Sequence, residues 1–322
     1  MTAQIPRRQF LAGMGAAATG VLSSRLALGL PKPDSPFRIS VINDEISQDF
    51  GHACEIAARE FGMHWIELRG MWGKNIIDLD AKEVAESKRL LDKFGLHVTD
   101  IASPLFKVDW PGAPRSKFSP KRDEFHAGFG FEQQEEVLDR AIAMAKTFGT
   151  DRIRCFDFWR LDDVTPYRAA MNEKLLAAAN KTGKQGILLI LENEQACNTA
   201  TAAEAAKVLH AVKSPSFMLN WDPGNAAASG ETPYPDGYNL LPKDRIAHCH
   251  CKDVLKTDKG YDWAPVGGGI VDWLGQFKAL KRDGYHFAVS LETHWTGGGT
   301  PEESSRKSWA GMKKVLQDAG VS

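Results

Sequence analysis

Cysteine is scarce in this chain: five residues, Cys54, Cys155, Cys197, Cys249 and Cys251, among 322. An odd, scattered set excludes a disulfide framework. Cys249 and Cys251 flank a histidine, but no second close ligand pair exists to complete a structural zinc site, so these thiols read as packing residues. A surplus of charge is also lacking, because 40 basic and 41 acidic side chains leave a formal net charge of -1. That balance argues against a nucleic-acid binder, which needs a basic surface. No Gly-x-Gly-x-x-Gly follows the first predicted strand, which weighs against a dinucleotide fold. There is no apolar run long enough for a comfortable membrane span. With 43% hydrophobic residues the chain still has ample material for a large core.

The first residues read as an address rather than as fold. Pro6-Arg7-Arg8-Gln9-Phe10-Leu11 precedes a small-residue apolar run from Ala12 to Leu22. Adjacent arginines before such a run form a twin-arginine export signal, here assigned to residues 1–30, with an expected periplasmic or otherwise exported destination. That route carries folded proteins, which suits an enzyme loaded with metal before export. Pro31, Pro33 and Pro36 make residues 31–36 a stiff linker.

From residue 37 to 322, short apolar runs alternate with longer amphipathic ones. Strands are expected at Arg38 to Asn43, His64 to Leu68, His97 to Ala102, Arg152 to Phe156, Ile187 to Leu191, Phe217 to Trp221, Ile246 to Cys251 and Phe287 to Leu291. The helices between them include Gln48 to Phe61, Ala81 to Phe94, Glu132 to Phe148 and Pro301 to Ala319. The stretch from Ser103 to Gly130 is long and proline-rich, as functional loops are. Eight strand–helix alternations in this length predict an α/β fold, a single-domain (β/α)8 TIM barrel.

Active-site groups of a barrel sit at the C-terminal ends of its strands. The last four strands end in Glu192, Asp222, the His248-Cys249-His250-Cys251-Lys252-Asp253 run, and Glu292. Taken singly, each has a structural reading: a loop anchor, a turn-starting aspartate, a satisfied core histidine. Together, three carboxylates and an imidazole on successive strands read as a metal site. Such a hard, oxygen-rich set suits Mn2+ or Mg2+ first, Co2+ or Zn2+ second. By strand parity His248, His250 and Lys252 point inward, and Cys249 and Cys251 toward the helices. Glu67, Arg154, Asn225, His248 and Lys252 are candidate substrate contacts. Trp72, Trp110, Trp159, Trp263 and Trp295, in loops after strands, are candidate stacking platforms for sugar C–H faces. Asp253 is expected to pair with a basic neighbour and order its loop.

The segments Leu191-Glu192-Asn193, Asn220 to Asn225, His248 to Asp253, Pro265 to Trp273 and Ser290-Leu291-Glu292 resemble, in order and spacing, the xylose-isomerase-like barrels, the sugar phosphate isomerases/epimerases. The resemblance implies that Glu192, Asp222, His250 and Glu292 bind a divalent metal and that Glu192 and Glu292 form the acid/base pair. It implies isomerisation or epimerisation of a sugar or keto-sugar through a metal-stabilised enediolate. Where several members carry a histidine three residues after the aspartate, this chain has Asn225, which hydrogen-bonds but does not shuttle protons. A metal-dependent lyase or hydratase on keto-sugars, keto-glycosides or inositol derivatives is the alternative, and a non-catalytic sugar-binding barrel a third. The histidine-rich trinuclear zinc set of the abasic-site endonucleases is not evident. The expected partner is a small-molecule sugar, with no nucleic acid and no membrane insertion after export; a homo-oligomer is left open.

Overall fold

The structure, a computed structural model, describes residues 35–114, 116 and 128–322. The twin-arginine segment, most of the linker and part of the long proline-rich stretch lie outside the described residues. Eight parallel strands form the central sheet: β1 Arg38–Val41, β2 Trp65–Leu68, β3 His97–Leu105, β4 Arg152–Cys155, β5 Leu188–Glu192, β6 Phe217–Trp221, β7 Ile246–Cys251 and β8 Ala288–Leu291. Each strand pairs with its sequence neighbour and β1 pairs with β8. A single parallel bridge, Ile42 to Glu67, links β1 to β2, so the ring is nearly closed. The predicted TIM barrel is observed.

The helices form where local signals demand them. Ala81–Phe94 begins in a capping box, with Asp80 accepting from the Lys82 and Glu83 backbone and Glu83 reaching back to Asp80, and ends at Gly95 in the left-handed conformation. Pro301–Asp318 starts with Thr300 as its cap and Pro301 in its first turn. The strands bury both faces, against side chains inside the barrel and helices outside. Val41, Ile66, Ile101, Ile153, Leu189, Leu219, Cys249 and Leu291 are completely buried. All five cysteines are free and buried, and Cys249 and Cys251 join the hydrophobic core, as the packing reading required.

Several elements differ from expectation, among them the following. The helix expected over Gln48 to Phe61 is regular only across Phe50–Glu55 and then widens into a π-turn over Ile56–Glu60. β3 runs on to Leu105 through a register shift, beyond the expected end at Ala102. The segment after β7 is an antiparallel hairpin, Asp253–Thr257 with Gly260–Ala264, rather than a loop. Among the described residues no helix is long and apolar enough to cross a membrane.

Candidate metal centre and active site

Sheet register brings the four ligand candidates to one height. Glu192 aligns with Asn220, Asn220 with His248, and His248 with Ala288. Asp222 stands two residues beyond Asn220, His250 two beyond His248, and Glu292 four beyond Ala288. A barrel of this class climbs about one residue per strand. The staggered steps therefore compensate the strand tilt, and the ligand atoms of Glu192, Asp222, His250 and Glu292 all lie within 4.8 Å of one another.

His250 is the centre of this group. Its Nδ1 faces Glu292 Oε2 at 3.1 Å, Glu192 Oε1 at 3.3 Å and Asp222 Oδ2 at 3.7 Å. That nitrogen is buried and has no aligned hydrogen-bond partner. On the other side of the ring, Nε2 meets Glu67 Oε1 at 3.1 Å. An ionised carboxylate only accepts, so Glu67 holds a proton on Nε2, and Nδ1 is the nitrogen a cation can claim by displacing its proton. Burial alone would push the His250 imidazolium down, yet Glu67, Glu192 and Glu292 outweigh it and hold its pKa well above the ordinary value. A buried orphan nitrogen aimed at three carboxylate oxygens fits a divalent cation. Without positive charge at their centre, three buried carboxylates this close ionise only at high cost.

Basic side chains brace the acids. Lys252 Nζ lies 2.6 Å from Glu292 Oε2 and 2.9 Å from Asp222 Oδ2. Arg154 Nη1 is 3.1 Å from Glu192 Oε2, an ionic contact, since that oxygen has no aligned hydrogen bond. Burial opposes ionisation of Glu192 and Glu292, but His250 and Arg154 beside the first, and Lys252, His294 and His250 beside the second, hold both well below the usual carboxylate range. Asp222 has two uses. Oδ1 caps the short helix Pro223–Ala228 by accepting from Asn225 N at 2.8 Å, while Oδ2 turns to the cluster. Capping the helix with Oδ1 therefore leaves Oδ2 available to the cluster.

The five candidate substrate contacts separate in space. Arg154 and Lys252 reach the cluster as described. The Asn225 Nδ2 group spends its hydrogens on Asn193 O at 2.8 Å, Asp222 Oδ2 at 3.1 Å and Glu192 Oε1 at 3.2 Å. It holds the Glu192 and Asp222 carboxylates in place. Glu67 and His248 are fully buried below the cluster. His248 Nε2 is 3.2 Å from Asp100 Oδ1, its Nδ1 3.0 Å from Asn220 Oδ1. Burial opposes charge on Glu67, and the two histidines and Arg154 hold its carboxyl down at about 2. Glu67→Leu removes the acceptor that orients His250 and is expected to weaken Mn2+ binding by about 10- to 100-fold. Isothermal titration reads this directly; an unchanged affinity would remove Glu67 from that role.

Sequence reasoning passed over Arg69 and His294. Arg69 contacts Glu292 Oε1 at 3.0 Å, Asp44 Oδ1 at 2.9 Å and Glu45 Oε1 at 2.6 Å. His294 Nε2 lies 3.1 Å from Glu292 Oε1. Glu45, Glu292 and His294 also come within ligand distance of one another, but the Arg69 guanidinium already bridges Glu45 and Glu292. Arg69 follows Glu67 by two residues, so strand parity was the available signal. Asp253 orders the neighbouring loop as expected, but through backbone amides, accepting from Gly267, Gly269 and Val271 at 3.0–3.1 Å instead of from a basic side chain. A Cβ on Gly269 would stand 2.2 Å from Asp253 Oδ1, so only glycine closes this turn.

Of the five tryptophans expected as stacking platforms, Trp263 and Trp295 line a cavity of about 440 Å³ beside the cluster. Trp72 packs edge-on to Phe50 and Trp110 against Phe131 and Phe158. Trp159 packs in a small cluster with Phe156 and Cys197.

Comparison with curated proteins finds no significant match. Among solved structures, the probable 3-DHS dehydratase AsbF of Bacillus anthracis is similar at 21% identity, with 87% of this chain and 98% of that chain covered and a TM-score of 0.65. A D-psicose 3-epimerase solved with D-fructose is 15% identical over 88% of this chain and 99% of its own, with a TM-score of 0.62. A Mycobacterium smegmatis barrel in complex with magnesium is 16% identical over 89% and 97%, also with a TM-score of 0.62. At these identities the likeness is one of fold. The family described as "Xylose isomerase-like TIM barrel" matches residues 56–315, most of the chain. With that match added to the observed barrel and its rim of acids, the chain belongs to the xylose isomerase-like TIM barrel family.

Proposed function

We propose that this chain is a divalent-metal-dependent isomerase or epimerase acting on an unphosphorylated sugar or keto-sugar through an enediolate. The observation that carries the reading is His250 Nδ1, buried, without a hydrogen bond, and facing three carboxylates. Glu192, Asp222, His250 and Glu292 would hold the cation, with Mn2+ or Mg2+ best matched to the donors. A cation held there supplies Lewis acidity to a carbonyl and its neighbouring hydroxyl, which acidifies the C–H between them.

The chain's own groups do the rest. Glu192 and Glu292 approach from β5 and from the end of β8, so one removes a proton and the other returns it. Glu192 is the better first base. Its Oε2 has Arg154 as its near neighbour, whereas Glu292 is engaged at Oε1 by Arg69 and His294 and at Oε2 by Lys252. Arg154 and Lys252 keep the pair ionised. Asn225 cannot carry a proton, so both transfers fall to the glutamates. The same feature favours a second reading: loss of a β-substituent from the enediolate asks for fewer proton carriers at the ring. Export through the N-terminal twin-arginine run belongs to this proposal and supports an unphosphorylated substrate, since phosphorylated sugars are mainly cytoplasmic.

Proton NMR of unphosphorylated ketoses and keto-sugars in D2O with Mn2+, against an EDTA-treated control, tests the proposal. Deuterium entering the carbon beside the carbonyl without loss of a group is the expected result. Release of a substituent would favour the lyase reading. Absence of any metal-dependent exchange across the panel would overturn both.

A further inference from the structure

The cavity beside the cluster was not needed to explain the chemistry, and its lining is specific. It shares Arg69 and His294 with the reactive site, and each of them contacts Glu292 Oε1, at 3.0 and 3.1 Å. A ligand reacting at Glu292 therefore has open space continuing past these two side chains. The volume, about 440 Å³, falls in the range of sites that enclose whole ligands.

Two features of the wall define what fits. Trp263 and Trp295 supply the apolar surface. Trp263 sits on the hairpin after β7, edge-to-face with His294 at 4.8 Å between centroids. Trp295 is braced by Gly297, where an added Cβ would lie 2.5 Å from the indole, and by Lys307, whose Nζ is 5.4 Å from the ring centroid. The second feature is polar. Thr293 lines the cavity, is 6% exposed, and its Oγ1 has no hydrogen-bond partner. Thr296 and Thr300 also line this wall, and threonine hydroxyls offer donors and acceptors to a ligand's own hydroxyls.

The wall also excludes anions. Asp44 and Glu45 line it, and Arg69 has committed Nε to Asp44, Nη2 to Glu45 and Nη1 to Glu292. Carboxylates accept from neutral hydroxyls and repel phosphate, while tryptophan surfaces suit the C–H faces of a pyranose.

We propose that this cavity is a second sugar subsite, and that the substrate is a neutral two-ring glycoside whose second ring lies against Trp263 and Trp295. The inference rests on the sugar-enzyme reading above, but its test reads binding rather than turnover. Purified protein is titrated calorimetrically, once with Mn2+ and once with EDTA, using methyl glucoside, cellobiose, maltose, trehalose, phenyl glucoside and glucose 6-phosphate. At least one disaccharide is expected to bind about tenfold or more tightly than methyl glucoside, with the ratio kept in EDTA and glucose 6-phosphate weakest. Trp295→Ala should bring the ratio near one. Phenyl glucoside binding as tightly as the best disaccharide would overturn a sugar in the second subsite in favour of an aromatic group. A panel in which no disaccharide exceeds methyl glucoside, or in which glucose 6-phosphate binds best, would overturn the subsite itself. A chain that binds disaccharides yet exchanges no deuterium would contradict the catalytic reading alone.

Discussion

Glu192→Gln loses turnover by about 10²- to 10⁴-fold, the range over which a positioned acid or base acts. The amide keeps the volume and leaves Arg154 Nη1 a polar neighbour where the Oε2 contact now lies at 3.1 Å. What it removes is the proton acceptor and one negative charge from a group of three carboxylates and a histidine. Weaker cation binding alone would be repaired by excess Mn2+, whereas loss of the base would not. The expected result is therefore a kcat for deuterium exchange that stays low at saturating Mn2+, in a protein whose circular dichroism and melting curve match the parent. Glu292→Gln is expected to act the same way but to disturb the surroundings more, because Arg69, Lys252 and His294 all lose an ionic partner. Wild-type exchange in the Glu192 variant would remove that residue from the mechanism.

Mn2+ is expected to stabilise the fold. A ligand present at a hundredfold over its Kd adds about 2.7 kcal/mol to a protein that binds it only when folded. For a chain of this size roughly 2 °C of Tm accompanies each kcal/mol, so a rise of about 5 °C is expected. The direction follows from the site, where Glu192, Asp222 and Glu292 are at most 2% exposed and their mutual repulsion is offset by His250, Lys252, Arg154, Arg69 and His294. Differential scanning fluorimetry with Mn2+ and with EDTA measures the shift. In Asp222→Ala it should vanish, and because Asp222 also caps Pro223–Ala228 that variant should start from a lower Tm.

Much of this was legible in the sequence because barrel strands are short, apolar and evenly spaced, and because a charged residue ending such a strand stands out. Glu192, Asp222, His250 and Glu292 were found that way, and the parity of the His248–Lys252 run correctly separated inward imidazoles from packed thiols. Residues whose importance lies in a contact far along the chain were not legible. Arg69 meets Glu292 across 223 positions, and a lone arginine after a strand carries no sign of its partner. Asp258-Lys259-Gly260 reads as a polar loop, and the hairpin it closes stands out only once Asp253 pairs with Ala264 and Trp263 comes to rest against His294. Asn225 was read as a contact for a hydroxyl. The short helix after Asp222 also folds its amide back onto the Glu192 and Asp222 carboxylates, a contact the sequence does not announce.

The central claim is one cation held by four side chains at the C-terminal rim of the barrel. Anomalous diffraction from crystals of the protein grown with Mn2+ tests it most directly. The account predicts one strong peak within bonding distance of His250 Nδ1 and of carboxylate oxygens from Glu192, Asp222 and Glu292. Density in which Lys252 still bridges Asp222 and Glu292, with manganese absent from the rim or bound elsewhere, would contradict it.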